Sequence, residues 1–175
     1  MRGAKRPSFL DKGLKDMKTP ERIASFTVDH DYIGEGVYIS RIDGDIVTYD
    51  MRTRKPNMGE YMDNLTMHSV EHMFATYIRS SAIADSVIYF GPMGCQTGFY
   101  LLVRGRENAD TYAAIIDTLT KIVNHEGEMF GQSRKECGNY MNLDLEAAKV
   151  ECRRYLEVLG DKMPDFKYRS ADDEK

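Results

Sequence analysis

VYISRIDGDIVTYDMR, residues 37–52, is two runs of strand-forming residues joined through Asp43-Gly44. Valine, isoleucine, tyrosine and threonine suit a pleated backbone, and an Asp-Gly pair tolerates the positive φ angles of a tight turn, so the stretch predicts an antiparallel hairpin. Further along, SVIYF (86–90) and FYLLVR (99–104) read as strands on either side of the loop GPMGCQTG. Upstream, SFTVDH (25–30) alternates well enough to predict one more strand.

Three helices are predicted between and after these strands. The first starts at Asp63 or Asn64 as N-cap and runs to about Ser81, with Val70, Met73, Phe74, Tyr77 and Ile78 spaced as one apolar stripe. A second is capped by Asp110, turns Tyr112, Ile115, Ile116, Leu119, Ile122 and Val123 inward, and ends before Gly127. The third spans about Asp144 to Leu159 and is stopped by Gly160. The expected fold is α+β, a single domain with a mainly antiparallel sheet packed against about three to four helices. Residues 1–22 read as an N-terminal arm, 23–165 as the domain and 166–175 as a charged C-terminal tail.

Composition narrows the function classes. The 175 residues suit one core, and 42% hydrophobic with 30% charged residues is neither disordered nor membrane-embedded by composition. Twenty-four basic against 28 acidic residues leave a net charge of −4, with no basic surplus to hold a phosphate backbone, so nucleic acid is not an expected partner. No apolar run reaches the roughly 18 residues of a spanning helix, and no membrane partner is expected. The basic start lacks the apolar segment of a secretory signal, and three cysteines, an odd number, suit a reducing compartment. A cytoplasmic location is the expectation.

The chemistry begins at HSVEH, residues 68–72. On a helix His72 lies about 40° from His68, and Glu71 about 60° to the other side, so all three share one face. Two imidazoles so placed can ligate one metal ion while the carboxylate stays free to move protons. That face lies nearly opposite the apolar stripe, so it must meet water or line a cleft. A catalytic site of this kind takes a third protein ligand. Cys95 and Cys137, each beside a glycine in a predicted loop, are the candidates, and spacing does not say which is the ligand and which an acid/base. Cys152, inside a helical pattern, reads as a packing residue. Two other readings exist for the motif. HxxEH is the pattern of inverted zinc peptidases, which need a distant acidic ligand, and a non-catalytic zinc module would close the site as His2Cys2.

SFTVDH, MHSVEHMFATYIR, PMGCQTGFY and ECGN followed by DLEAAK, in that order, resemble the S-ribosylhomocysteine lyase family, known as LuxS. The resemblance covers most of residues 25–150. It implies His68, His72 and Cys137 as metal ligands and Glu71 with Cys95 as the paired acid/base residues. It implies one divalent metal per subunit, Fe(II) in the cell and Zn(II) as isolated, and a homodimer with sites at the subunit interface. Ser25, His30, Arg52 and Arg79 match positions that in the family contact substrate or shape its pocket. The implied reaction cleaves the thioether of S-ribosylhomocysteine by carbonyl migration and β-elimination, giving homocysteine and 4,5-dihydroxy-2,3-pentanedione, the autoinducer-2 precursor. One departure stands out: family members often read Asp-Ile-Ser where this chain has Tyr89-Phe90-Gly91.

Overall fold

The computed structural model describes residues 21–23 and 26–174. The hairpin forms as its turn chemistry dictates: β1 (Gly36–Asp43) pairs with β2 (Ile46–Arg52), and Gly44 takes φ 64° between them. The register slips between Ile39 and Arg41, a bulge in β1. The second strand pair is β3 (Val87–Pro92) and β4 (Gly98–Arg104), and β2 pairs with β4 to give one antiparallel sheet of order β1-β2-β4-β3.

Three helices cover one face of the sheet: α1 (Asn64–Ile78), α2 (Asn108–Val123) and α3 (Leu145–Leu159). Strand alternation sends Tyr49 and Met51 of β2, and Phe99, Leu101 and Val103 of β4, into a core shared with Val70, Met73, Phe74 and Ile78 of α1. Phe74, Phe90 and Phe99 stack in succession, with ring centroids 4.2 and 5.1 Å apart, and lock α1 onto the sheet. The alternate residues, among them Tyr38, Asp50, Arg52 and Tyr100, occupy the opposite face. The fold is the expected α+β arrangement.

Three local expectations change. SFTVDH forms no strand over its described residues, 26–30. The ring of His30 bonds the carbonyl of Val28 at 3.0 Å, and Asp29 accepts from the backbone N–H of Asp31 at 3.1 Å. Local bonds of this type compete with a sheet ladder and fold the segment into turns. Helix α2 begins before Asp110, with Glu107 as N-cap, and α1 ends at Ile78, short of Ser81.

After α3 the chain returns to the sheet. The carbonyl of Phe166 accepts from Ile39 N–H at 2.8 Å, on the free edge of β1. Its ring enters the core edge-on to Tyr49 and Tyr112, at 6.1 and 6.0 Å. Two residues on, Tyr168 stacks on Tyr38 at 4.9 Å, on the other face of the sheet.

Candidate metal and catalytic site

Helix α1 carries the HSVEH face. Its start is set by Asp63, whose carboxylate accepts from Thr66 N–H at 2.7 Å; that backbone bond holds its pKa below the ordinary value. His68, Glu71 and His72 are all half-buried. The two histidines meet the connection from α2 to α3, residues 124–144, which has no regular secondary structure. Connections longer than about 12–15 residues without structure of their own are uncommon, and are usually either functional or linker segments.

That connection orients both imidazoles. The Nδ1 of His68 lies 2.8 Å from the carbonyl oxygen of Asn142, and the Nδ1 of His72 lies 3.0 Å from that of Phe130. A carbonyl only accepts, so each Nδ1 carries a proton and each Nε2 is the nitrogen left to face a metal. Carbonyl partners of this kind orient metal-ligating histidines. The connection is itself tied to α1: Asp144 N–H donates to Ser69 Oγ at 2.8 Å, and Asn142 Nδ2 donates to Asn64 Oδ1 at 2.6 Å.

Cys137 arrives on the same connection, turned inward by a bond from its N–H to Ser133 O at 3.1 Å. Its sulfur lies 3.4 Å from His68 Nε2 and accepts from Asn139 N–H at 3.3 Å. Donor atoms of His68, His72 and Cys137 all lie within 4.8 Å of one another. Two imidazoles and one thiol, with a backbone N–H aimed at the sulfur, fit a divalent transition metal. A zinc peptidase of the HxxEH kind would need an acidic third ligand, whereas the residue brought here is a cysteine.

Cys95 belongs to a different set of contacts. It lies exposed in the β3–β4 connection, 3.0 Å from Thr97 Oγ1 and 3.8 Å from Arg52 Nη1. Arg52 is 2% exposed rather than solvated. Its Nε and Nη2 donate to the two oxygens of Asp50 at 3.1 and 2.5 Å, and its Nη1 donates to Thr97 Oγ1 at 2.6 Å. Burial alone would lower the guanidinium's pKa; the charge and hydrogen bonds of Asp50, with smaller contributions from Cys95 and Tyr168, reverse that and leave it raised. A fixed positive charge therefore faces the Cys95 sulfur.

The remaining predicted residues lie apart. Ser25 is outside the described residues. His30 sits in the turn with Val28, and Arg79 is exposed at the end of α1, donating to Ala75 O at 3.2 Å. Neither hydrogen-bonds to the histidine–cysteine cluster. Cys152 is buried in α3, where burial, then the nearby Glu151 charge, pushes its thiol far up and keeps it inert. Sequence reasoning missed Thr97, Asp50 and the carbonyls of Phe130 and Asn142. Asp50 had a signal, since it shares a strand face with Arg52, but a carbonyl supplied by an irregular loop has none.

Comparison with known proteins decides what the arrangement belongs to. The family model described as S-ribosylhomocysteinase (LuxS) matches residues 23–165. The chain belongs to the LuxS family. Among LuxS relatives, the S-ribosylhomocysteine lyase of Borreliella afzelii is 39% identical over 155 residues, 85% of this chain and 99% of that one. Those of Clostridium beijerinckii and Desulfotalea psychrophila are each 42% identical, over 78% and 79% of this chain and 89% and 92% of their own. The LuxS match contains HSVEH, Cys95 and Cys137, and it ends one residue before Phe166.

Proposed function

We propose that this chain is an S-ribosylhomocysteine lyase, a carbon–sulfur lyase that releases homocysteine and 4,5-dihydroxy-2,3-pentanedione, the autoinducer-2 precursor. The observation that carries the reading is the convergence of His68, His72 and Cys137, with both Nδ1 atoms held by backbone carbonyls, on the helix face that also holds Glu71. A divalent cation held by these three residues supplies Lewis-acid polarisation of the sugar's oxygens. Fe(II) is our reading for the cell and Zn(II) for the isolated protein.

The protein's own groups then move protons. The thioether sulfur leaves from C5 of the ribose, while the aldehyde carbon is C1. Shifting the carbonyl to C2 and then C3 makes the C4 proton acidic, and each shift requires one proton removed from carbon and one returned to its neighbour. Cys95, beside Arg52, and Glu71, on the helix face of the two histidines, are the pair we assign to these transfers. In the last step a base takes the C4 proton, the electron pair forms the C4–C5 double bond, and sulfur departs from C5 and is protonated as homocysteine. The enol left behind tautomerises to the diketone.

Residues 23–165 form the catalytic unit in this reading. Ser25, His30 and Arg79 contact substrate, and Arg52 shapes the pocket beside Cys95. The unit works as a homodimer with its sites at the interface. The helix-free side of the molecule supports this, since Ile23 and Tyr89 are exposed there, beside half-buried Tyr100 and Leu102. Free thiols at Cys95 and Cys137 fit the cytoplasm. No described helix is long and apolar enough to cross a membrane.

The test is anaerobic incubation of the Fe(II)-loaded protein with S-ribosylhomocysteine, with thiol release followed by a thiol reagent and the products identified by mass. Homocysteine and the pentanedione are expected in equal amounts. Their absence with metal fully bound overturns the reading.

A further inference from the structure

Asp50 and Arg52 form a buried ion pair on the sheet face that no helix covers, with Asp50 0% and Arg52 2% exposed. Such a pair needs its remaining lone pairs and protons satisfied, or the cost of drying it exceeds the attraction. Part of that closure comes from beyond the family match. Tyr168, three residues past its last residue, donates its hydroxyl to Asp50 Oδ2 at 2.8 Å, the same oxygen that takes Arg52 Nη2. The phenol is placed by two contacts already described, the stack on Tyr38 and the backbone bond from Ile39 to Phe166. Burial, then the Asp50 charge, raises its pKa, so it stays a neutral donor.

A connected line therefore runs from the C-terminal segment to the thiol of Cys95: Tyr168 to Asp50, Asp50 to Arg52, and Arg52 to Thr97 and Cys95. The titratable and charged groups felt along this line are Tyr38 of β1, Asp50 and Arg52 of β2, Cys95 of the β3–β4 connection, Tyr100 of β4, Tyr155 of α3, and Tyr168 with Arg169. Arg52 is the cation that faces the sulfur. The carboxylate that pairs with it also accepts from the tyrosine hydroxyl.

We propose that residues 166–168 are a strap whose Tyr168 acts as a positioning residue for Cys95, holding Asp50 so that the Arg52 guanidinium stays dry and directed at the sulfur. Without the hydroxyl, Asp50 Oδ2 loses a donor, water reaches the pair, and the guanidinium is screened and free to turn from Cys95. Tyr168 touches neither substrate nor metal in this scheme. The proposal rests on Cys95 being the proton-transferring thiol of the lyase reading.

The test compares the full chain with Tyr168→Phe, which keeps the ring stack and removes only the hydroxyl. Tyr38→Phe is the control, because the Tyr38 hydroxyl donates to Gly34 O and not to Asp50. Iodoacetamide labelling of Cys95, followed by peptide mass across a range of pH, reads the thiol directly. Tyr168→Phe should label at Cys95 about threefold to tenfold more slowly at neutral pH, the worth of one hydrogen bond, with the profile displaced to higher pH. Metal content should be unchanged, and homocysteine release should fall through kcat with KM little altered. Tyr38→Phe should match the parent chain. A Tyr168→Phe protein whose Cys95 labelling profile overlays the parent's overturns the strap. If the parent chain releases no homocysteine, the lyase reading fails by itself, and the labelling profiles still decide whether Tyr168 acts on Cys95.

Discussion

Gly131 approaches His72 so closely that a methyl group built on its Cα would stand 2.7 Å from the imidazole Nδ1. Its φ of +71° is also one that residues with a Cβ rarely adopt. The carbonyl that orients His72 belongs to the preceding residue, Phe130. Gly131→Ala should therefore turn the ring and release the carbonyl together. Metal affinity, measured by competition with a chelator, should fall about 10- to 100-fold, the scale for a lost partner behind a ligand. Unchanged affinity would mean that the connection yields without moving His72.

The two loop cysteines should separate by what their loss removes. Cys137→Ala should not retain metal through purification. Cys95→Ala and Glu71→Gln should keep metal and lose at least about 100-fold in turnover, as expected for a missing acid/base group. Metal analysis beside the homocysteine assay settles the assignment, and a metal-replete Cys137→Ala protein would show the cysteine roles to be reversed.

Asp63 caps the helix that presents both histidines, so its contribution is open to a pH test. Its folded pKa lies below the ordinary value because the ionised carboxylate accepts from Thr66 N–H. The stabilisation is therefore present above the unfolded pKa and is lost as pH falls through the folded one. Asp63→Ala should cost about 1 kcal/mol at neutral pH, the usual worth of an N-cap. Chemical denaturation should show that difference shrinking in acid, and a gap that widened in acid would contradict the cap.

Gly98 stands opposite Arg52 in the β2–β4 pairing, and a Cβ there would lie 2.4 Å from the backbone oxygen of Met51. Backbone does not swing aside as a side chain can. Gly98→Ala should force the strands apart beside the Cys95 connection and cost about 1–3 kcal/mol by overpacking. A denaturation midpoint equal to that of the parent chain would refute the close approach.

Side-chain patterns carried most of the fold and the core of the site. The Asp-Gly turn, the apolar stripe of α1 and the Gly160 stop each act through neighbours in sequence, and each appears where local chemistry places it. The pairing of His68 with His72 was visible for the same reason, since helical spacing alone sets it. SFTVDH failed because alternation describes side chains, while the bond of the His30 ring to Val28 O and the bond Asp29 accepts from Asp31 N–H chose turns. Asp50, the partner of buried Arg52, accepts from Tyr168, 118 positions further along the chain, and no local pattern reports such a meeting.

The α2–α3 connection draws both histidine-orienting carbonyls and Cys137 from a stretch without a helix or strand of its own. A metal ion held by His68 and His72 of α1 and by Cys137 of that stretch would close a long loop, and the entropy removed from the chain is what makes such clips effective. Occupancy of the site should then be readable far from any chemistry, as resistance of the backbone between Val123 and Leu145 to limited proteolysis. Chelation should open that one segment to cutting while the sheet beneath it stays whole.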